Sequence, residues 1–154
     1  MKVVLPRFLT RGRGHVVNVA SMAAKVPAPG GATYTGTKHF VLGASDAVRQ
    51  ELRGTGVEVT CLMPGPVLTE MMAGLKPARG VRQVTVAEVA AATVAALERP
   101  CFAVHVPAAA GRMHALSQML PRLVREGLLR AMRTDRVLME IDHDERRLYE
   151  ERVR

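Results

Sequence analysis

Residues 14–38 read GHVVNVASMAAKVPAPGGATYTGTK, and the reading of this stretch decides the fold. Gly14 to Ser21 has the continuous apolar run of a buried strand and ends on a hydroxyl. The loop Lys25 to Gly31 holds two prolines and a Gly-Gly pair, which stop the strand and free the chain to turn. A helix then begins near Thr33. It places Tyr34 and Lys38 four residues apart on one face, a turn from each other. A phenol, a cation and a hydroxyl gathered at the end of a strand form a proton-transfer site. A free phenol titrates near 10 and is a poor base at neutral pH. A cation about 4 Å away, at an effective dielectric near 20, favours the phenolate by roughly 4 kcal/mol. A tyrosine with a lysine four residues on also occurs on many solvated helix faces, so the motif needs company.

Working outward, strand and helix alternate. The long helix runs to about Arg53 and is ended by Gly54 and Gly56. Val57 to Met63 is a second apolar strand, closed by Pro64-Gly65-Pro66-Val67-Leu68-Thr69. Thr69 to Val84, with Gly74, Pro77 and Gly80, reads as a loop. Thr85-Val86-Ala87-Glu88 is a capping box for an alanine-rich helix that Pro100 stops. Cys101 to Val106 is a third strand. The expected fold class is therefore α/β, a partial Rossmann-like doubly wound parallel sheet of about three strands with flanking helices, followed by a helical tail.

These pieces, in this order, resemble the short-chain dehydrogenases/reductases. The matching residues are Asn18-Val19-Ala20-Ser21, Tyr34-Thr35-Gly36-Thr37-Lys38 and Pro64-Gly65-Pro66-Val67-Leu68-Thr69, with Asp46 to Gly56 similar to the end of that family's active-site helix. The resemblance covers residues 1–107 closely, as the C-terminal half of the family's Rossmann-type domain, with 108–154 a helical extension. It implies that Ser21 orients substrate, that Tyr34 is the catalytic acid/base, and that Lys38 favours the phenolate and binds the nicotinamide ribose. Tyr34, Lys38, Pro64, Gly65, Val67 and Thr69 are the implied cofactor contacts, with NAD or NADP as hydride carrier. The implied reaction interconverts a carbonyl and a secondary alcohol of a small molecule, here an apolar one. Resemblance also implies a homo-oligomer through helix 33–53, a lid over substrate at 69–84, and a cytoplasmic protein.

Family members open with a glycine-rich turn whose following helix receives the pyrophosphate. No G-x-G-x-x-G or T-G-x-x-x-G-x-G occurs among these residues; Gly12 and Gly14 precede a strand instead of following one. About a hundred residues of βαβ units would supply the rest. The chain is expected to be a truncated dehydrogenase half, and the alternative is an inactive fragment that serves as an interaction or dimerisation module. Three local departures accompany this: Ala24 stands at a usual glycine, Gly36 interrupts the active-site helix, and Phe40 replaces a small residue on the helix face toward a partner subunit.

Composition fits these expectations. The chain has 154 residues, 48% hydrophobic but only 3% aromatic, so alanine, valine and leucine must carry the packing. Cys61 and Cys101 lie in apolar strands and are expected to be buried thiols in a reducing compartment. The net charge is +8. Most of the excess lies in residues 1–56, and no aromatic-basic interleaving supports nucleic-acid binding. No apolar run reaches membrane-spanning length. No metal site is read, His143 between two aspartates having no further ligand at suitable spacing.

The tail repeats Met113, Leu116, Met119, Leu120, Leu123, Val124, Leu128 and Met132 at helical spacing, with Arg122, Arg125 and Arg130 between them and Arg112 and Arg133 at the ends, and Pro121 splits it into two helices. Two readings stay open for 111–133: an amphipathic face packed on its own domain with arginines in water, or peripheral contact with a membrane. The last twenty residues alternate in charge and read as an exposed helix with i,i+4 pairs.

Overall fold

In a computed structural model, residues 1–76 and 78–153 are described, apart from the side chains of His143, Asp144, Glu145, Leu148 and Val153. Pro77, in the expected lid, and the His143 side chain thus lie outside the described residues. The elements run α1 (Leu5–Arg11), β1 (Gly14–Val19), α2 (Ala32–Glu51), β2 (Val57–Pro64), α3 (Val86–Glu98), β3 (Ala103–Val106), α4 (Ala108–Ser117), α5 (Arg122–Ala131) and α6 (His143–Val153). The three strands form one parallel sheet in the order β1-β2-β3. Gly14 pairs with Val57 and Val19 with Leu62; on the other side Cys61 pairs with Ala103 and Pro64 with Val106.

β2 is central because both of its faces are apolar. Every residue in it except Glu58 is buried. Val57 and Val59 pack with Leu52 against Leu5, Phe8 and Val48, which joins α1 and α2 to this face. Cys61 and Met63 continue the same face under Ala20, Ala24, Val41 and Leu42. Leu62 points the other way, with Val84 and Val106, against Val17, Val89 and Ala92 of the α3 side. Helices therefore cover both faces, the arrangement that a buried parallel sheet demands. Burying Leu62, 1% exposed, contributes on the order of 1.5–3 kcal/mol.

The one polar residue among these inward positions is satisfied. Thr60 is fully buried, and its hydroxyl donates to the Cys101 carbonyl at 2.7 Å. Its single proton being used there, the 2.8 Å contact with His15 Nε2 has the imidazole N–H as donor.

Local signals explain most element ends. α3 carries the capping box, with the Thr85 side chain accepting from Glu88 N–H and Glu88 accepting from Thr85 N–H. After α2 the chain turns through Gly54 and Gly56, both at positive φ. Gly56 is required twice over, since a Cβ there would run into the Gly12 carbonyl. Pro121 precedes α5 and separates it from α4.

Three expectations are corrected. β1 ends at Val19, short of Ser21, because the Ser21 side chain caps a 3-10 turn at Met22–Ala24. β3 begins at Ala103, and Cys101 is exposed where a buried thiol was expected; its carbonyl accepts from the Thr60 hydroxyl. The tail does not bury its apolar repeat: neither α4 nor α5 has a buried residue. Contacts with the loop 69–84 come instead from residues further on. Arg79 N–H donates to Met132 O, Asp142 N–H donates to Gly74 O, and Leu75 bridges Ile141. In α6, Arg146–Glu150 and Arg147–Glu151 are i,i+4 ion pairs, as the charge alternation implied.

Candidate active site

Because all three strands are parallel, their C-terminal ends open on one edge of the sheet, where ligands of open α/β sheets bind. β1 delivers Ser21 there, in extended backbone just past the strand. The Ser21 hydroxyl oxygen accepts from Ala23 N–H at 3.1 Å. Its proton has no acceptor among the described residues, which leaves it able to donate to a substrate oxygen. α2 packs against this turn and against β2. Its first turns carry Tyr34, 46% exposed, whose hydroxyl makes no hydrogen bond among the described residues. One turn on, Lys38 Nζ donates to the Val19 carbonyl at 3.2 Å and lies 5.6 Å from the centroid of the Tyr34 ring. Lys38 is thus the pin between helix and strand, and its ammonium is held over the phenol within cation–π range.

A hydrogen bond missed in the sequence, between Asn18 and Ser45, sets the register of α2 on β1. Ser45, fully buried, stands seven residues after Lys38 on the same helix face. Its hydroxyl donates to Val41 O at 2.6 Å and accepts from Asn18 Nδ2 at 2.9 Å. A hydrogen bond from a strand asparagine to a buried helix serine fixes how far along the strand the helix sits, and so where Lys38 reaches. The signal that could have found it was a lone serine on the otherwise apolar inward face of α2. Cys61 lies beside the same serine, and burial pushes its thiol up.

The expected cofactor loop crosses the ends of β2 and β3. Gly65 N–H donates to Val106 O at 2.7 Å, and Val67 bridges Val84. Thr69 Oγ1 makes a weak 3.4 Å bond to Val67 O and stays exposed. Lys38, Tyr34 and this loop offer one cation, two hydroxyls and strand-end backbone. That donor set suits the ribose hydroxyls and carboxamide of a nicotinamide nucleoside. The described residues offer no glycine-rich helix start for a pyrophosphate.

A second group escaped the sequence reading. His105 on β3 and His114 on α4 both lie near Lys25, in the loop after Ser21. Burial, then the Lys25 charge, pushes both imidazoles down. His105 Nε2 is buried without a hydrogen-bond partner among the described residues, and Gly111 lies directly against its ring.

Comparison with known proteins agrees with this fold. The model of the short chain dehydrogenase family matches residues 1–80. The chain belongs to the short-chain dehydrogenase family. The 1-deoxy-11-beta-hydroxypentalenate dehydrogenase of Streptomyces exfoliatus is 45% identical over 80 residues, 51% of this chain and 29% of that protein. The NADP-dependent 3-hydroxy acid dehydrogenase YdfG of Salmonella typhi is 44% identical over 66 residues, 43% of this chain and 27% of the relative. The match thus spans less than a third of these curated relatives' length. Among solved structures, a short chain dehydrogenase from Burkholderia cenocepacia in complex with NADP superposes with a TM-score of 0.70 at 28% identity, covering 83% of this chain and 52% of the other. One from Sphingobium yanoikuyae in complex with NADPH gives 0.64 at 30% identity, covering 83% and 49%. The short-chain dehydrogenase fold is shared well beyond the stretch that the family model matches.

Proposed function

We propose that this chain carries the proton-transfer half of an NAD(P)-dependent oxidoreductase that interconverts a carbonyl and a secondary alcohol. The observation that carries the reading is Lys38, held over the Tyr34 ring and bonded to the carbonyl of Val19, the residue that ends β1 two positions before Ser21. In the oxidative direction the Ser21 hydroxyl donates to the substrate oxygen and fixes it beside Tyr34. The Tyr34 phenolate takes the alcohol proton, and the Lys38 ammonium stabilises that phenolate. NAD or NADP, when bound, would supply the hydride acceptor, a role no side chain fills. Lys38 and Tyr34 would hold its ribose, and Pro64, Gly65, Val67 and Thr69 would line its nicotinamide. The solved neighbours with NADP and NADPH support a cofactor of this class. The substrate is a small carbonyl or alcohol, apolar in character, under a lid formed by 69–84. Residues 1–107 form the dehydrogenase unit and 108–154 the extension of a cytoplasmic protein. A homo-oligomer through α2 is supported by Phe40, 74% exposed beside the flat positions Gly36 and Gly43.

A second reading is favoured by one specific observation: β1 is an edge strand here, with no strand on its outer side among the described residues. On this reading the 154-residue chain is inactive by itself and acts as an interaction or dimerisation module. Fluorescence titration with NADH and NADPH separates the two. The chain alone is expected to bind neither measurably, and saturable binding would sink the inactive-module reading. Where carbonyl reduction is present, Tyr34→Phe should lower turnover by about 10²–10⁴-fold with the fold intact. Undiminished turnover in that variant would remove Tyr34 from the role of acid/base.

A further inference from the structure

We infer that α4 and α5 form a docking surface for an anionic lipid bilayer. The argument begins with the direction in which α5 faces. At 100° per residue, Leu123, Val124, Gly127, Leu128 and Ala131 share one sector of the helix, and all five are exposed. The opposite sector holds Arg122, Arg125, Glu126, Leu129 and Arg130, of which Arg125, Glu126 and Leu129 are half-buried. An amphipathic helix that packs on its own domain turns its apolar side inward. This one turns it outward.

Exposed apolar side chains are not confined to α5. Met113, Leu116, Met119 and Leu120 precede it, and with Leu123, Val124 and Leu128 they are between 40% and 83% exposed. Seven large apolar side chains within the sixteen residues 113–128 exceed the scatter of single exposed residues found on any surface.

Charge identifies what covers them. Residues 111–133 contain five arginines (112, 122, 125, 130 and 133) and one glutamate, Glu126, a local balance of 5 − 1 = +4. Glu126 is bracketed by Arg122 at 2.6 Å and Arg130 at 3.9 Å, while Arg125 donates to Gln118 at 2.8 Å. Cations therefore flank both sides of the apolar sector, Arg130 on one edge and Arg125 on the other. A second copy seated on this face would bring +4 against +4. A bilayer with acidic headgroups instead takes the apolar side chains into its acyl boundary and the arginines at its phosphates. No helix among the described residues is long and apolar enough to cross a membrane, so the contact lies in the surface plane.

The test uses the whole 154-residue chain and sedimentation with sucrose-loaded vesicles of phosphatidylcholine alone or mixed with phosphatidylglycerol. Binding is expected only to the mixed vesicles. It should be lost in about 1 M salt, where the Debye length shrinks to about 3 Å. Arg130→Gln with Arg133→Gln should weaken partitioning by on the order of 25-fold, roughly fivefold for each cation removed from the surface. Leu123→Asp with Leu128→Asp should abolish it. These side chains are exposed, so both variants should keep the wild-type circular dichroism and melting midpoint. Three results would overturn the proposal: no binding to mixed vesicles, equal binding to neutral ones, or a Leu123→Asp, Leu128→Asp variant that binds normally while its sedimentation coefficient drops from that of a dimer.

Discussion

β2 and α5 each carry a clear apolar pattern over eight and ten residues, and the two patterns meet opposite fates. β2 lies between two strands and two layers of helix, and seven of its eight residues are buried. α5 has an apolar sector just as clear, yet no residue in it is buried. The contrast teaches that an apolar pattern specifies a demand for burial without specifying the partner. For β2 the partner is this chain. For α5 it is proposed to lie outside it. The candidate site belongs to the first regime: Lys38 is placed by its hydrogen bond to β1, and the Asn18–Ser45 bond joins the same helix and strand beside the packed core.

The largest effect that could break this contrast is a matched pair of truncations. Leu62→Ala should cost about 2–5 kcal/mol in a urea melt, through lost transfer energy and a cavity beneath α3. Leu123→Ala should fall within about 0.5 kcal/mol of wild type, because it empties no packed site. A large loss at Leu123 would mean that α5 is held inward in solution and the contrast is false.

Ser45→Ala should come next. It leaves the Asn18 amide short of its buried acceptor, at a cost of about 1–3 kcal/mol. Where activity can be measured, the same variant should lower turnover as α2 loses its register, and a turnover indifferent to Ser45 would detach that bond from the site.

The capping box gives a pH signature on the opposite face of the sheet. The Arg82 guanidinium, then the Thr85 backbone N–H, hold the Glu88 carboxyl down at about 2, against an ordinary value of 4.5. A carboxyl depressed in the folded state contributes stability that is complete above its ordinary value and is lost as pH falls through the folded one. The wild type should therefore lose this contribution between pH 4.5 and about 2. Glu88→Gln should show no such step when melts are compared across that window, and an identical acid profile would place the loss elsewhere.

Gly36→Ala should have the smallest effect. A methyl there meets nothing within 4 Å, so helix propensity alone should stabilise α2 by up to about 1 kcal/mol. If the variant also weakens self-association in analytical ultracentrifugation, the flat face of α2 is the subunit interface. Unchanged association would move that interface away from Gly36.

Much of this was legible before any coordinates. The order of strands and helices followed from apolar runs broken by Gly and Pro, and the Thr85–Glu88 box from its spacing. Ser21, Tyr34 and Lys38 stood out because three chemically distinct residues were bracketed by such signals. Asn18–Ser45 did not stand out, since neither residue is unusual by type and their meeting depends on a separation of 27 positions. The Lys25, His105 and His114 group was hidden for the same reason.

Periodicity along a chain determines secondary structure and which side of each element is apolar, because both arise from neighbours within a few residues. It determined here the parallel α/β sheet, its crossovers and the amphipathic tail. What lies opposite each apolar or polar side is a long-range matter. Only the tertiary structure decided that Lys38 reaches the Val19 carbonyl, that Cys101 is exposed while Cys61 is sealed, and that α5 turns its leucines to the outside. Pairing energies depend on distances through space, and a linear pattern does not contain them.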